Sequence, residues 1–124
     1  MNEPEIKDSE LYHLLRHGDI DEFNRKIAEA TKFSLAGADL RGTDLRNMNA
    51  RGLDMSNCYL RQADLRGVDF SETNLEGASI NGAKISGTYF PRELRAEEIT
   101  LSLTHGTRMR YMRLKVNLQQ ADKA

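Results

Sequence analysis

One cysteine, Cys58, is the whole thiol complement of this 124-residue chain. That excludes an intramolecular disulfide and leaves no pair at metal-finger spacing. No apolar run approaches the ~20 residues that a helix needs to span a bilayer. The opening MNEPEIKDSE is mostly polar and acidic. It lacks the basic start and apolar stretch of a secretion signal, so a cytoplasmic location is expected. The three histidines, His13, His17 and His105, have no cysteine or paired carboxylate at ligand spacing and no triad context. The pattern also holds no phosphate-binding loop, nucleophile–base pair or metal cluster. An enzyme is not expected, and neither is a cofactor or a bound metal.

The net charge of −1 hides a gradient: residues 1–32 sum to −3, 33–92 to zero and 93–124 to +2. Such asymmetry marks either a solvated surface or a partner site at one end. The length suits one core, with attachments at each terminus.

What the sequence has in abundance is a five-residue period. From Phe33 to Arg92 it divides without insertion into FSLAG, ADLRG, TDLRN, MNARG, LDMSN, CYLRQ, ADLRG, VDFSE, TNLEG, ASING, AKISG and TYFPR. Internal repetition is read before any other signal. The third residue of every block is apolar, and the fifth is Gly or Asn in nine of the twelve. The blocks run Ala, then Asp or Asn, then Leu, then two freer positions. In this the stretch resembles the pentapeptide-repeat family. The resemblance implies an all-β solenoid, a right-handed quadrilateral β-helix with four blocks per square coil, and therefore about three coils here.

On that fold the first face stacks Leu35, Met55 and Leu75, and the second Leu40, Leu60 and Ile80. The third stacks Leu45, Leu65 and Ile85, and the fourth Ala50, Phe70 and Phe90. The first residue of each block also points inward. Ala50 is small where the pattern is large, but Met48 in the same block is large where it is small, a volume exchange that a close-packed core tolerates. Cys58 falls between Ala38 and Ala78 in a column of small interior residues, which suits a small hydrophobe rather than a nucleophile. Seven of the nine glycines fill the fifth position, where a turn every five residues needs φ > 0. Asn47 and Asn57 take the same place, while Gln62, Glu72 and Arg92 are expected to use another turn type.

The termini read as helical. Asp8 or Ser9 starts a first helix over 9–17 with Leu11, Leu14 and Leu15 at helical spacing, and Gly18 stops it. A second helix over 20–31 begins behind an Asp19–Glu22 capping box, with Ile20, Phe23, Ile27 and Ala30 on one face. Residues 1–32 then form an N-terminal cap, which a solenoid needs because an open end invites another chain. After the repeat, residues 93–124 begin with a helix over Ala96–His105, ended by Gly106 and packed on Phe90 through Ile99 and Leu103. Beyond it, Arg113–Leu118 alternates like a strand, while Tyr111, Leu114 and Leu118 share a helix face, and periodicity leaves both open. QQADKA is expected to fray. The apolar residues among Leu94–Leu118 point to a homodimer contact, and the family resemblance likewise implies a terminal helix that pairs subunits end to end.

On the outer surface, Arg41 and Arg61 stack on the second face and Arg46 and Arg66 on the third, with Asp44 and Asp64 beside the latter pair. Layers lie about 4.8 Å apart, so these charges form either a self-neutralising lattice worth little per pair or a docking face for an acidic partner. Arg108, Arg110, Tyr111, Arg113 and Lys115 extend the candidate surface. A basic stretch with an aromatic also suits nucleic acid. The resemblance implies a further function, because some pentapeptide-repeat proteins, the quinolone-resistance ones among them, imitate duplex DNA and engage DNA gyrase. Three coils rise roughly 14 Å, and duplex of that length carries about eight negative charges, whereas this repeat sums to zero. The sequence therefore reads as a non-catalytic, bacterial-type interaction module for a protein partner. Gyrase modulation by DNA mimicry is second and nucleic-acid binding by the basic C-terminal segment third, with no membrane partner expected.

Overall fold

The structure, a computed structural model, describes residues 5–113, with side chains from Glu10 onward. The repeat winds as a helix of parallel bridges whose partners lie twenty residues apart: Asp39 with Tyr59 and Tyr59 with Ser79, Asp44 with Asp64 and Asp64 with Lys84, Asp54 with Asn74, and Asp69 with Tyr89. Each bridge is one residue long, because the chain turns again within the same block. Two kinds of ladder bond hold adjacent circuits in register. The third residue of a block donates to the second residue of the next circuit, as Leu40 N–H does to Tyr59 O at 2.8 Å, and Tyr59 N–H donates back to Ala38 O at 2.9 Å. Backbone groups are thereby paired without any long strand.

The turn explains the five-residue period. The N–H of each first residue donates to the carbonyl three residues back, as from Ala38 to Leu35 at 2.9 Å. The fifth residue, third in that four-residue turn, takes positive φ, the mark of a type II turn. Asn47, Asn57 and also Gln62 (φ 60°) adopt it, so the expectation of a different turn at Gln62 is corrected. A side chain there costs about 1–2 kcal/mol, and Gln62 has room because Gly42 and Gly82 fill the same corner in the adjoining circuits. Glu72 and Arg92 do not take positive φ.

The third residues from Leu35 to Ile80 are all buried, as are Met48 and Ala50, the pair that exchanges volume. Thr43, with no circuit before it, donates its hydroxyl to Leu40 O at 2.6 Å, and interior groups in the later circuits reach back one turn of the coil. The Thr73 hydroxyl donates to Ala50 O at 2.7 Å and that of Thr88 to Leu65 O at 2.6 Å, each 23 residues back. Cys58 Sγ makes the equivalent contact with Leu35 O at 3.0 Å. The thiol thus makes the contact that threonine hydroxyls make elsewhere in the stack, and burial pushes it up to about 12.

Two helices precede the repeat, α1 (Glu5–Arg16) and α2 (Ile20–Ile27). Leu11, Leu15, Ile20 and Phe23 are buried, and Phe23 meets Phe33 edge-on at 6.2 Å. Side chains tie the pair to the first circuit: Tyr12 Oη donates to Asp39 O at 2.7 Å, and Asn24 bridges Asn47 O and Asn49 N–H at 2.9 and 2.8 Å. Three expectations are corrected. α1 begins at Glu5, upstream of Asp8 and Ser9, because extending a helix is easy once its apolar face is anchored. α2 ends at Ile27 rather than 31, where short bonds from Glu29 to Lys26 and from Ala30 to Ile27 tighten the chain toward Phe33. The capping box is absent: Asp19, at ψ 66°, makes no side-chain cap bond, since it lacks the extended conformation that aims a capping oxygen.

After the repeat, α3 (Ala96–His105) ends at Gly106, whose φ of 77° and N–H bond to Ser102 O close it. Its polar contacts reach the second face. The fully buried Ser102 accepts from Ile80 N–H at 3.0 Å, and Leu103 O accepts from Gly82 N–H at 3.0 Å. Phe90 and Ile85 remain only partly buried. The chain then runs back over the first face, exchanging bonds between Met109 and Gly77–Ala78. Residues 107–113 are thus neither helix nor regular strand. Lys115, Leu114, Val116, Leu118 and the QQADKA tail lie outside the described residues. Among the described residues, no helix is long and apolar enough to cross a membrane.

Candidate functional site

The outer faces are organised by the second residue of each block. Its side-chain oxygen accepts the N–H two residues on, as Asp44 does from Arg46 at 3.2 Å and Asp69 from Ser71 at 2.8 Å. This Asx turn is the local reason for Asp or Asn there. Where the fourth residue is arginine, its guanidinium folds onto the same carboxylate. Arg41 forks onto Asp39, Arg46 onto Asp44 and Arg66 onto Asp64, each with an Nη2–Oδ2 distance of 2.7 Å. Hydrogen bonds from the arginines hold the Asp39 and Asp44 carboxyls below the usual range and lower Asp64 to about 2. Arg46 also reaches Asp64 at 3.5 Å across the layers. The third face is therefore an ion-pair lattice.

The second face differs because its middle block is CYLRQ. Tyr59 stands where Asp would, so Arg61 has no carboxylate two residues before it, and among the described residues it makes no salt bridge. Tyr59 is 42% exposed. Arg108 arrives from behind α3, with its Cζ 5.2 Å from the Tyr59 ring centroid, in cation–π range. Its Nη2 donates to Tyr59 Oη at 3.0 Å and its Nη1 to Gly77 O at 2.9 Å. Arg16 of α1 donates to Arg41 O at 2.8 Å on the same face. A cleft of about 240 Å³ opens among Arg41, Tyr59, Arg61, Ser79, Gly106 and Arg108.

The sequence-predicted surface thus divides. Arg41, Arg61 and Arg108 meet around Tyr59, while Arg46 and Arg66 are occupied by their own aspartates. Tyr111 turns inward: its hydroxyl accepts Leu75 N–H at 2.9 Å and donates to Thr73 O at 3.2 Å, and burial pushes the phenol up. Arg113 pairs with Glu76 at 2.6 Å. Arg110 keeps an exposed side chain, and its backbone N–H is held by Glu98 at 2.9 Å. Lys115 is outside the described residues. Sequence reasoning missed Tyr59 and Arg16. For Tyr59 the signal was present, an aromatic in the Asp/Asn position, whereas Arg16 reaches the face only through the docking of α1. Among the described residues, no group of three or more His, Cys, Asp or Glu side chains is placed to hold a metal ion.

No curated protein and no solved structure matches the chain. The family model described as Pentapeptide repeats matches residues 34–67 and 54–90, with eight copies. Such repeats form a right-handed β-helix, are generally non-catalytic and serve protein-interaction or structural roles. Together with bridges recurring every twenty residues, the match makes this chain a member of the pentapeptide-repeat family.

Proposed function

We propose that the chain is a non-catalytic interaction module that binds an acidic surface of a protein partner through its second face. In this reading residues 33–92 make three coils, residues 1–32 cap one end, and residues 93–124 close the other and lend Arg108 to the face. The supporting observation is the contrast between Arg61 and Arg108, which have no carboxylate partner among the described residues, and Arg46 and Arg66, which do. A guanidinium not neutralised within its own chain keeps its charge for a partner, and Tyr and Arg are residue types that concentrate binding energy. The test is capture of partners from the native cell, identification by mass spectrometry, and titration of the purified partner. Arg61→Gln with Arg108→Gln is expected to weaken binding by at least about tenfold, and Arg46→Gln with Arg66→Gln to leave it nearly unchanged. Undiminished binding by the first pair would overturn the proposal.

A homodimer through the C-terminal end is a second reading. It is supported by the partly buried Ile85 and Phe90 at the end of the stack, and by Leu101 and Met112, exposed by 44% and 38%. Light scattering that gives a monomer mass at high concentration would refute it. Gyrase modulation by DNA mimicry has less support, because the second face carries Arg16, Arg41, Arg61 and Arg108 against Asp39. Supercoiling assays without effect at high protein excess would remove it. Nucleic-acid binding by the basic segment predicts steep salt dependence, and salt-insensitive or absent retention counts against it.

A further inference from the structure

Asp or Asn fills the second position in seven of the twelve blocks, and the column Asp39, Tyr59, Ser79 departs from that habit twice in succession. Two consequences meet at one place. The missing carboxylates leave Arg61 uncompensated, and the small Ser79 and Gly106 leave the cleft that Arg41, Tyr59, Arg61 and Arg108 surround. Arg108 is already positioned by Gly77 O and Tyr59 Oη, and three of its five N–H groups remain for a ligand. Because Tyr59 Oη accepts from Arg108, its own proton is available to a ligand oxygen.

We propose that this cleft receives a phosphate monoester carried on a side chain of a protein partner. The inference rests on the protein-interaction reading above and adds the chemistry of the recognised group. A carboxylate is satisfied by a single guanidinium fork, as Asp39 is by Arg41. Here a second and a third guanidinium stand beside that pair, and a group of charge near −2 with three terminal oxygens matches them. A phosphodiester carries one negative charge and offers fewer free oxygens, so nucleic-acid backbone fits less well. The cleft volume of about 240 Å³ accommodates the phosphoryl group and the stem that bears it.

The test uses the full chain labelled with ¹⁵N, observed at its arginine Nε–H resonances. It is titrated at constant ionic strength with inorganic phosphate, acetate, a short Gly/Ala peptide carrying one phosphoserine, and the same peptide unphosphorylated. The phosphopeptide and phosphate are expected to shift Arg61 and Arg108 saturably, and acetate and the plain peptide to do so at least about tenfold more weakly. Arg61→Gln or Arg108→Gln should each reduce phosphopeptide affinity about tenfold or more, and Arg46→Gln should not. Equal responses at Arg46 and Arg66, or peptide binding indifferent to phosphorylation, would overturn the proposal. So would tighter binding at Arg61 and Arg108 to a single-stranded oligonucleotide or an anionic phosphatidylserine vesicle. Phosphatase treatment of a captured partner separates the two levels. Retention that survives phosphatase but is lost in Arg61→Gln removes the phosphate and keeps the module, whereas retention that survives both removes the module reading.

Discussion

Gly77 offers a sharp test of the stack, because two independent costs fall on it. At φ 82° an added Cβ is strained by the backbone alone, at about 1–2 kcal/mol. That atom would also lie 2.0 Å from Asn57 Oδ1 and 3.0 Å from its Cγ. Rotating the amide clears the oxygen but not Cγ, so the whole side chain must leave its place, at about 0.5–1.5 kcal/mol if it is held off-rotamer. Gly42, at φ 71° with nothing within 4 Å of its would-be Cβ, carries only the first cost. Gly77→Ala is therefore expected to destabilise by about 1 kcal/mol more than Gly42→Ala, or about 4 °C in Tm for a chain of this length. Denaturant unfolding followed by circular dichroism measures both. Adding Asn57→Gly removes the obstructing side chain and should return Gly77→Ala to the cost seen at Gly42, a coupling of about 1 kcal/mol. Amide exchange at residue 77 should rise in Gly77→Ala alone, since its N–H donates to Met109 O at 2.6 Å. Equal costs at the two glycines, or no rescue by Asn57→Gly, would refute the account of the corner.

Cys58, buried and with its thiol pushed up to about 12, is expected to resist alkylation at pH 8 in the native state and to react fully once denatured; rapid native labelling, read by mass spectrometry, would contradict its threonine-like role. Asp64, held at about 2 by Arg66, lies below the unfolded value of about 3.9. Its stabilising contribution is present above that unfolded value and is lost as pH falls through the folded one. Unfolding free energy should therefore decline between about pH 4 and 2, less steeply in Asp64→Asn. An identical slope in the variant would show that the pairing with Arg66 contributes nothing.

Much of the fold was legible because its cause is local. The turn after the third residue of most blocks needs a backbone that tolerates φ > 0, and the inward positions need apolar side chains. Both demands recur within five residues, so Leu35 to Phe90 and Gly37 to Gly87 declare themselves in order. The same locality made the end of α3 at Gly106 readable. Gln62 was misjudged because its tolerance comes from the glycines twenty residues to either side, and the bounds of α1 and α2 depend on how the chain enters the stack.

The sequence by itself determined the period, the interior columns, the corners and the inert place of Cys58. Only the tertiary structure decided which arginines keep their charge. Arg46 and Arg66 are neutralised by residues two positions away, but Arg108 meets Tyr59 across 49 positions, and Ser102 accepts from Ile80 across 22. Those contacts are made by the non-repeating ends, whose placement follows from the shape and unpaired backbone groups of the last layer. A repeat specifies its own stacking through short-range turns and side-chain alternation, while the position of what lies across it depends on packing that no period encodes.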